Sequence, residues 1–225
     1  LNRNNAILTQ TPQAFRFKDL YNLSYRQKGK ITDEATLFID NNYKITFIKG
    51  ENKNSKITYL DDVRLNKTTF GIGFDIHRLI KHKKLYLGGT KIPFHSGLQG
   101  HSDGDVILHA IIDAILGATQ KKDIGTYFPS SKNKFKNIRS PKMLKPIVEN
   151  LYKNDFSINN LDINLICQKP HVSKYRNQII NSISNLMNLN KDKINLKGKT
   201  VEKLGLIGKE KAIACEVIIS ITKYD

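Results

Sequence analysis

The chain has 225 residues, 39% of them hydrophobic, and a formal net charge of +17. That length suits one substantial domain, or one domain with an appendage, and no run approaches the roughly 18 apolar residues that a membrane-spanning helix needs. The positive balance favours anionic partners, but lysine is spread along the chain rather than gathered with aromatics on one element, which speaks against a nucleic-acid-binding module.

Residues 1–66 are polar and rich in Asn and Lys, with short apolar groups "TLFI", "YKITFI" and "KITYL" that either pair as hairpin strands or stay mobile. The segment is basic, as a transit peptide is, but its seven acidic residues are too many for one. It reads as an N-terminal extension: the remnant of a transit peptide, or an insertion.

From Thr69 the pattern sharpens. "TFGIGFDIHRL" alternates Phe70, Ile72, Phe74 and Ile76 with Gly71, Gly73, Asp75 and His77, a strand with one apolar face. "KLYLGGTKIPF" reads as two short strands about a Gly-Gly turn. Ser102 or Asp103 caps a helix running to about Gly117, with Val106, Leu108, Ile111, Ile112 and Ile115 as its apolar side. "RSPKMLKPIVENLYKND" starts a helix with Ser140 as cap and Pro141 in the first turn, and Pro146 disturbs its second turn. "SINNLDINLICQ" is a strand ending near Gln168, and a helix follows over residues 173–187. "KINLKGKT" and "AIACEVIISITK" are the last two strands. Strands and helices interleave, so the class is α/β (α+β), a mixed β-sheet with helices packed on one face. Cys167 and Cys215 lie inside apolar runs and read as buried free thiols.

Asp75 and His77 are two residues apart on a strand, so their side chains share a side. His109, in mid-helix, supplies a third donor. Three N and O ligands leave one tetrahedral position open, the pattern of catalytic zinc. Asp113, one turn beyond His109, is placed to accept that histidine's other N–H. Asp-x-His is common by chance, however, and His and Asp one turn apart also describe a solvated helix face; spacing leaves both readings open. His82 and His95 read as surface residues. "GHSDGD" either caps the helix or, through free N–H groups with His101 and Ser102, binds phosphate.

Five ordered blocks then carry a resemblance: "GIGFDIHRL", "LYLGGTKIPFHSGLQGHSDGDVILHAIIDAILGA", "DIGTYFP", "VEKLG" and "AIACEV". Together they closely resemble the 2-C-methyl-D-erythritol 2,4-cyclodiphosphate synthase family of the non-mevalonate isoprenoid route, over about Thr69 to Lys223. The resemblance implies a synthase domain over 67–225, with zinc on Asp75, His77 and His109. It places substrate phosphate at His101 and Ser102, ribose at Asp123, Ile124 and Gly125, and the next loop at Phe128 and Pro129. It puts the cytosine pocket at "CQKPHVS", thus Cys167, Lys169, Pro170, His171, Val172 and Ser173. Thr200 lies beside the nucleotide phosphates, and Glu202 holds a second divalent ion, magnesium or manganese. His101 and Thr200 are the implied catalytic contacts.

The resemblance also implies a homotrimer with active sites between subunits, and a central cavity where isoprenoid diphosphates sit, near Leu206 and Lys209. Departures from the family pattern are Ser130 for an acid, Lys199 and Val201 for threonines, Leu206 for phenylalanine and Lys209 for arginine. The implied reaction joins a 2-phosphate to the β-phosphorus of a cytidine diphosphate ester, with loss of CMP. The attacking phosphate is already an anion, so charge neutralisation and alignment replace a general base. The alternative is a zinc-dependent phosphohydrolase of a nucleotide-sugar-like substrate, with water in the open position. The pathway's distribution implies a plastid of the apicoplast type, or alternatively a bacterial cytoplasm.

Overall fold

A computed structural model describes residues 10–27, 29, 33–51, 54, 56, 67–100, 102–132, 135 and 138–223. They fall into two compact units, Leu1–Arg64 and Leu65–Asp225.

In the first unit, α1 (Phe17–Arg26) and α2 (Glu34–Asp40) are short helices. Asp33 caps α2 by accepting from Ala35 N at 2.9 Å. Leu23, Leu37 and Phe38 form a small core with Phe15, Leu20 and Ile45 around it. The expected hairpin strands do not form among the described residues. "TLFI" lies inside α2, where Asp33 offers a helix start, and "YKITFI" has no regular structure. Most of "KITYL" lies outside the described residues.

The second unit is a mixed sheet with helices. Its strands are β1 (Lys67–Lys81), β4 (Ser96–Leu98), β5 (Phe156–Ile166), β6 (Ile194–Lys199) and β7 (Ala212–Lys223), in the order β4-β1-β7-β5-β6. Only β5 and β6 run parallel. β2 (Leu85–Leu87) and β3 (Thr90–Ile92) make the separate hairpin that the Gly88-Gly89 turn predicts. Both glycines have positive φ, the backbone region a Cβ disfavours.

The central helix is α3 (Val106–Ala118), and eleven of its thirteen residues are buried. A helix apolar almost all round belongs inside a core, and α3 lies against β1 and β7. Gly71 and Gly73 make that approach possible. A Cβ on Gly71 would stand 1.9 Å from Ala114 O, and one on Gly73 would stand 1.9 Å from Ala110 O. The remaining helices are α4 (Ile124–Tyr127), α5 (Ser140–Lys153), α6 (Arg176–Met187) and α7 (Gly205–Gly208). α5 carries Pro141 in its first turn and continues through Pro146. No described helix is long and apolar enough to cross a membrane. Cys167 and Cys215 are buried and unbridged. Burial pushes the Cys167 thiol up to about 11 and the Cys215 thiol well above its ordinary value.

Candidate metal centre and active site

The alternation of β1 builds half of this site. Its inward-facing positions are Gly71, Gly73, Asp75 and His77. The two glycines let α3 settle onto the strand, and beyond them the same face shows side chains again. α3 brings His109 to that point. Its first turn is held by the buried Asp105, which accepts from Ile107 N and Leu108 N and from Gly88 N and Gly89 N of the hairpin turn. Asp105 is therefore the cap. Of the two expected caps, Ser102 accepts from Gly104 N instead, and Asp103 accepts from Ser140. Burial raises the Asp105 pKa, against the pull of its backbone donors.

Asp75, His77 and His109 each offer one donor atom within 4.8 Å of the others. Asp75 Oδ2 is 2.9 Å from His77 Nε2 and 2.9 Å from His109 Nδ1, and the two nitrogens are 3.2 Å apart. Donors held at roughly 2.0–2.1 Å from a tetrahedral ion stand about 3.3 Å from one another. Two imidazoles and one carboxylate at these separations fit a zinc-type ion by chemistry and by size. Burial disfavours the ionised Asp75. Hydrogen bonds to His109 and His77, and their charges, outweigh it and hold the carboxyl well below the usual range. Burial likewise opposes a charged His109, but the hydrogen bond and charge of Asp75 prevail and raise its pKa. Asp75 and His109 thus favour an ion pair when no metal is bound.

Asp113 does not reach His109 as a hydrogen-bond partner; its Oδ1 accepts from Ile124 N at 2.7 Å. The reason is α4, which sequence reading missed and which brings its first N–H to that carboxylate. Burial raises the Asp113 pKa, with the Ile124 bond pulling the other way.

The trio opens onto a cavity of about 220 Å³. Ser102, Ile124, Gly125, Phe128 and Ser130 line it, as do Phe135, Ile138 and Met143, which sequence reading overlooked. The signal for those three was present: isolated apolar side chains in an otherwise polar stretch, "SSKNKFKNIRSPKM". Asp123 is exposed and caps α4 through Thr126 N. Pro129 is not among the lining residues, and His101 lies outside the described residues.

A second cavity of about 230 Å³ is lined by Cys167, Gln168, Pro170, His171, Val172 and Ser173, together with Arg176, Leu196, Gly198, Lys199 and Thr200. Five of the six residues expected from "CQKPHVS" are there. The sixth, Lys169, pairs with Glu210 at 3.5 Å. Thr200 Oγ1 donates to Glu202 Oε1 at 2.7 Å, and Glu202 takes a positive φ. Val201 is half-buried, and Leu206 and Lys209 lie in or just after α7. Neither Thr200 nor Glu202 lines the first cavity.

Strand β1 and the helix packed on it bring two imidazoles and a carboxylate to one point at the head of a cavity, an α/β fold with a site that could hold a metal ion. The chain belongs to the YgbB family, whose model matches residues 68–222. It is 54% identical over 226 residues to a bifunctional IspD/IspF enzyme of Pelagibacter ubique, over 100% of this chain and 61% of that one. It is 46% identical over 153 residues to a 2-C-methyl-D-erythritol 2,4-cyclodiphosphate synthase of Clostridium botulinum, over 68% of this chain and 98% of the relative. Among solved structures, IspF of Plasmodium falciparum in a CDP complex matches with a TM-score of 0.63 at 41% identity, over 71% of this chain and 99% of that one. The bifunctional IspDF of Campylobacter jejuni matches with a TM-score of 0.68 at 33% identity, over 100% of this chain and 63% of that one. The chain spans about three fifths of the length of these bifunctional relatives.

Proposed function

We propose that residues 67–225 cyclise 4-diphosphocytidyl-2-C-methyl-D-erythritol 2-phosphate to 2-C-methyl-D-erythritol 2,4-cyclodiphosphate, releasing CMP. The observation that carries this reading is the convergence of Asp75, His77 and His109 at a cavity, in a chain of this family. An oxygen of the 2-phosphate bonds to the β-phosphorus. The bond from that phosphorus to the bridging oxygen breaks, and CMP leaves with its electron pair. No proton has to move, which suits a site without a general base.

The main barrier is repulsion between anions, so the protein's task is to hold them close and in line. Asp75, His77 and His109 would hold a zinc-type ion, which supplies positive charge to phosphate oxygens when bound. Ile124, Phe128, Phe135, Ile138 and Met143 give the same cavity an apolar wall for the carbon skeleton and keep water away. Ser102 serves the phosphate, and His101, its neighbour in sequence, is assigned to the same role by the family resemblance. The second cavity suits the cytidine, a reading supported by the CDP named with the Plasmodium relative. Glu202, with one oxygen engaged by Thr200, retains an oxygen for magnesium or manganese, ions that take one or two carboxylates together with substrate phosphates.

The two cavities share no lining residue within one chain, which suits sites completed by a neighbouring copy; the homotrimer is what the family resemblance implies. Leu206 and Lys209 would then border the central cavity for an isoprenoid diphosphate. Residues 1–64 extend the match to the bifunctional relatives and are not needed for the match to the Clostridium synthase. We read them as part of the portion those bifunctional enzymes carry in addition. That reading replaces a transit-peptide remnant and favours a bacterial cytoplasm over a plastid. None of the relatives named above is called a phosphohydrolase, and the hydrolytic alternative is set aside.

Product analysis by phosphorus NMR tests the proposal. Cyclisation gives CMP and a cyclic diphosphate in equal amounts. CMP accompanied by an open phosphate ester would establish hydrolysis instead.

A further inference from the structure

The side of His109 that faces away from Asp75 is as ordered as the side that faces it. Nδ1 points to Asp75 and His77. Nε2 points into the wall of the cavity, 3.0 Å from Ser140 Oγ and 3.1 Å from Ser102 Oγ. Ser140 is the first residue of α5 and is fully buried. Its hydroxyl makes a short hydrogen bond to Asp103 Oδ1, an oxygen that also accepts from Ser140 N at 3.1 Å. Asp103 Oδ2 faces Arg139 Nε at 3.4 Å, and the Arg139 guanidinium lies 4.6 Å above the Tyr86 ring.

Proton directions follow from this geometry. A carboxylate paired with arginine has no hydrogen to give, so the Ser140 hydroxyl donates to Asp103. A serine has one hydroxyl hydrogen. Toward His109, then, Ser140 Oγ can only accept, and Nε2 must carry the proton. A neutral imidazole protonated at Nε2 has its lone pair at Nδ1, the nitrogen turned toward Asp75 and His77.

We propose that Asp103 and Ser140 are positioning residues: a carboxylate–serine–histidine relay that fixes the tautomer and orientation of His109 and so presents Nδ1 as a metal ligand. The inference rests on the metal-binding reading of the site and adds two residues to it. It places a serine between carboxylate and imidazole, where ligating histidines commonly meet a carboxylate directly. It also has a consequence for Ser102. That oxygen accepts from Gly104 N at 3.1 Å and, in this scheme, also from His109 Nε2. Its own hydrogen is then free to turn into the cavity it lines.

The test uses the full chain with zinc as the probe. Zinc affinity is measured by chelator competition on wild type, Ser140→Ala, Asp103→Asn and Ser140→Thr. Loss of an outer partner of this kind weakens metal binding by about 10–100-fold. That loss is expected for Ser140→Ala, a smaller one for Asp103→Asn, and substantial recovery for Ser140→Thr, which keeps the hydroxyl. Long-range proton–nitrogen NMR of the zinc-loaded wild type is expected to show His109 protonated at Nε2 and bound through Nδ1. Unchanged zinc affinity in Ser140→Ala overturns the relay, as does a wild-type His109 protonated at Nδ1. If Ser140→Ala does not fold, the wild-type spectrum decides. A wild type that takes up no zinc at all would instead refute the metal site, a result distinct from either of these.

Discussion

Gly73 and Ala110 touch across the strand–helix interface so closely that a single carbon would not fit between them: a Cβ on Gly73 would stand 1.9 Å from Ala110 O and 2.7 Å from Ala114 N. Ala110 follows His109, while Asp75 follows Gly73 by one pleat. The packing that closes the core therefore also sets the distance between metal ligands. Gly73→Ala is expected to destabilise the fold by about 1–3 kcal/mol or more, as overpacking does, and to weaken zinc binding by lifting His109 away from Asp75. Gly117→Ala, where the new carbon meets nothing nearer than Ile72 O at 3.7 Å, serves as control. Thermal melts and zinc titrations of both variants check this, and a Gly73→Ala protein with wild-type zinc affinity would show that the contact does not position the ligands.

Without metal, Asp75 and His109 give the fold a pH optimum. Asp75 has a depressed pKa, so its contribution is fully present above its unfolded value of 3.8 and is lost as pH falls toward the folded value. His109 has a raised pKa, so its contribution is fully present below its unfolded value of 6.5 and is lost as pH rises through the folded value. The apoprotein is therefore expected to gain most from this pair between about pH 4 and 6.5. Zinc must displace the proton, so its affinity rises with pH over the range in which His109 titrates. Urea melts of wild type and Asp75→Asn at several pH values check the first statement: their difference should be largest inside that window. A difference that keeps growing above pH 7 would contradict the pairing.

Much of this was legible in the sequence, because the relevant periods are short. G-x-G-x-D-x-H places four residues on one face of a strand, and that face is where Asp75 and His77 lie. What alternation cannot say is which face meets the helix. Phe70, Ile72, Phe74 and Ile76 look like the core side, yet they are exposed in the single chain, and the glycine side is buried. The reason is steric: a helix can approach a strand most closely where side chains are missing. The cap of α3 was misplaced because three polar candidates precede the helix, and only the fold shows that Asp105 alone also reaches the Gly88 and Gly89 N–H groups. The Ser140–Asp103 contact spans 37 residues. No local period reports a contact of that range.

Glu202 and Thr200 make a testable pair apart from the zinc trio. Glu202→Gln removes the charge that a hard divalent cation prefers but leaves the hydrogen-bond acceptor for Thr200. The variant is expected to bind zinc as wild type does, and to need a clearly higher magnesium concentration for half-maximal turnover. Magnesium titrations at saturating zinc check this. An unchanged magnesium requirement would remove Glu202 from the second ion site.

The outward face of β1 makes the last prediction. Phe70 is 68% exposed, Ile72 67%, Phe74 55% and Ile76 46%, with Ile218 of β7 at 45% on the paired strand. A contiguous apolar row of this kind is costly to leave in water and marks an interaction surface. Its occupant in the proposed assembly is the same face of neighbouring copies. Phe74→Asp points away from α3 and its core, so the subunit should keep its secondary structure and its zinc. Sedimentation is expected to show a monomer in place of a trimer. Activity is expected to fall with the assembly, because the two cavities would no longer meet across a subunit boundary. A Phe74→Asp protein that remains trimeric would move the interface elsewhere, and a monomer with full activity would mean that one chain completes the site by itself.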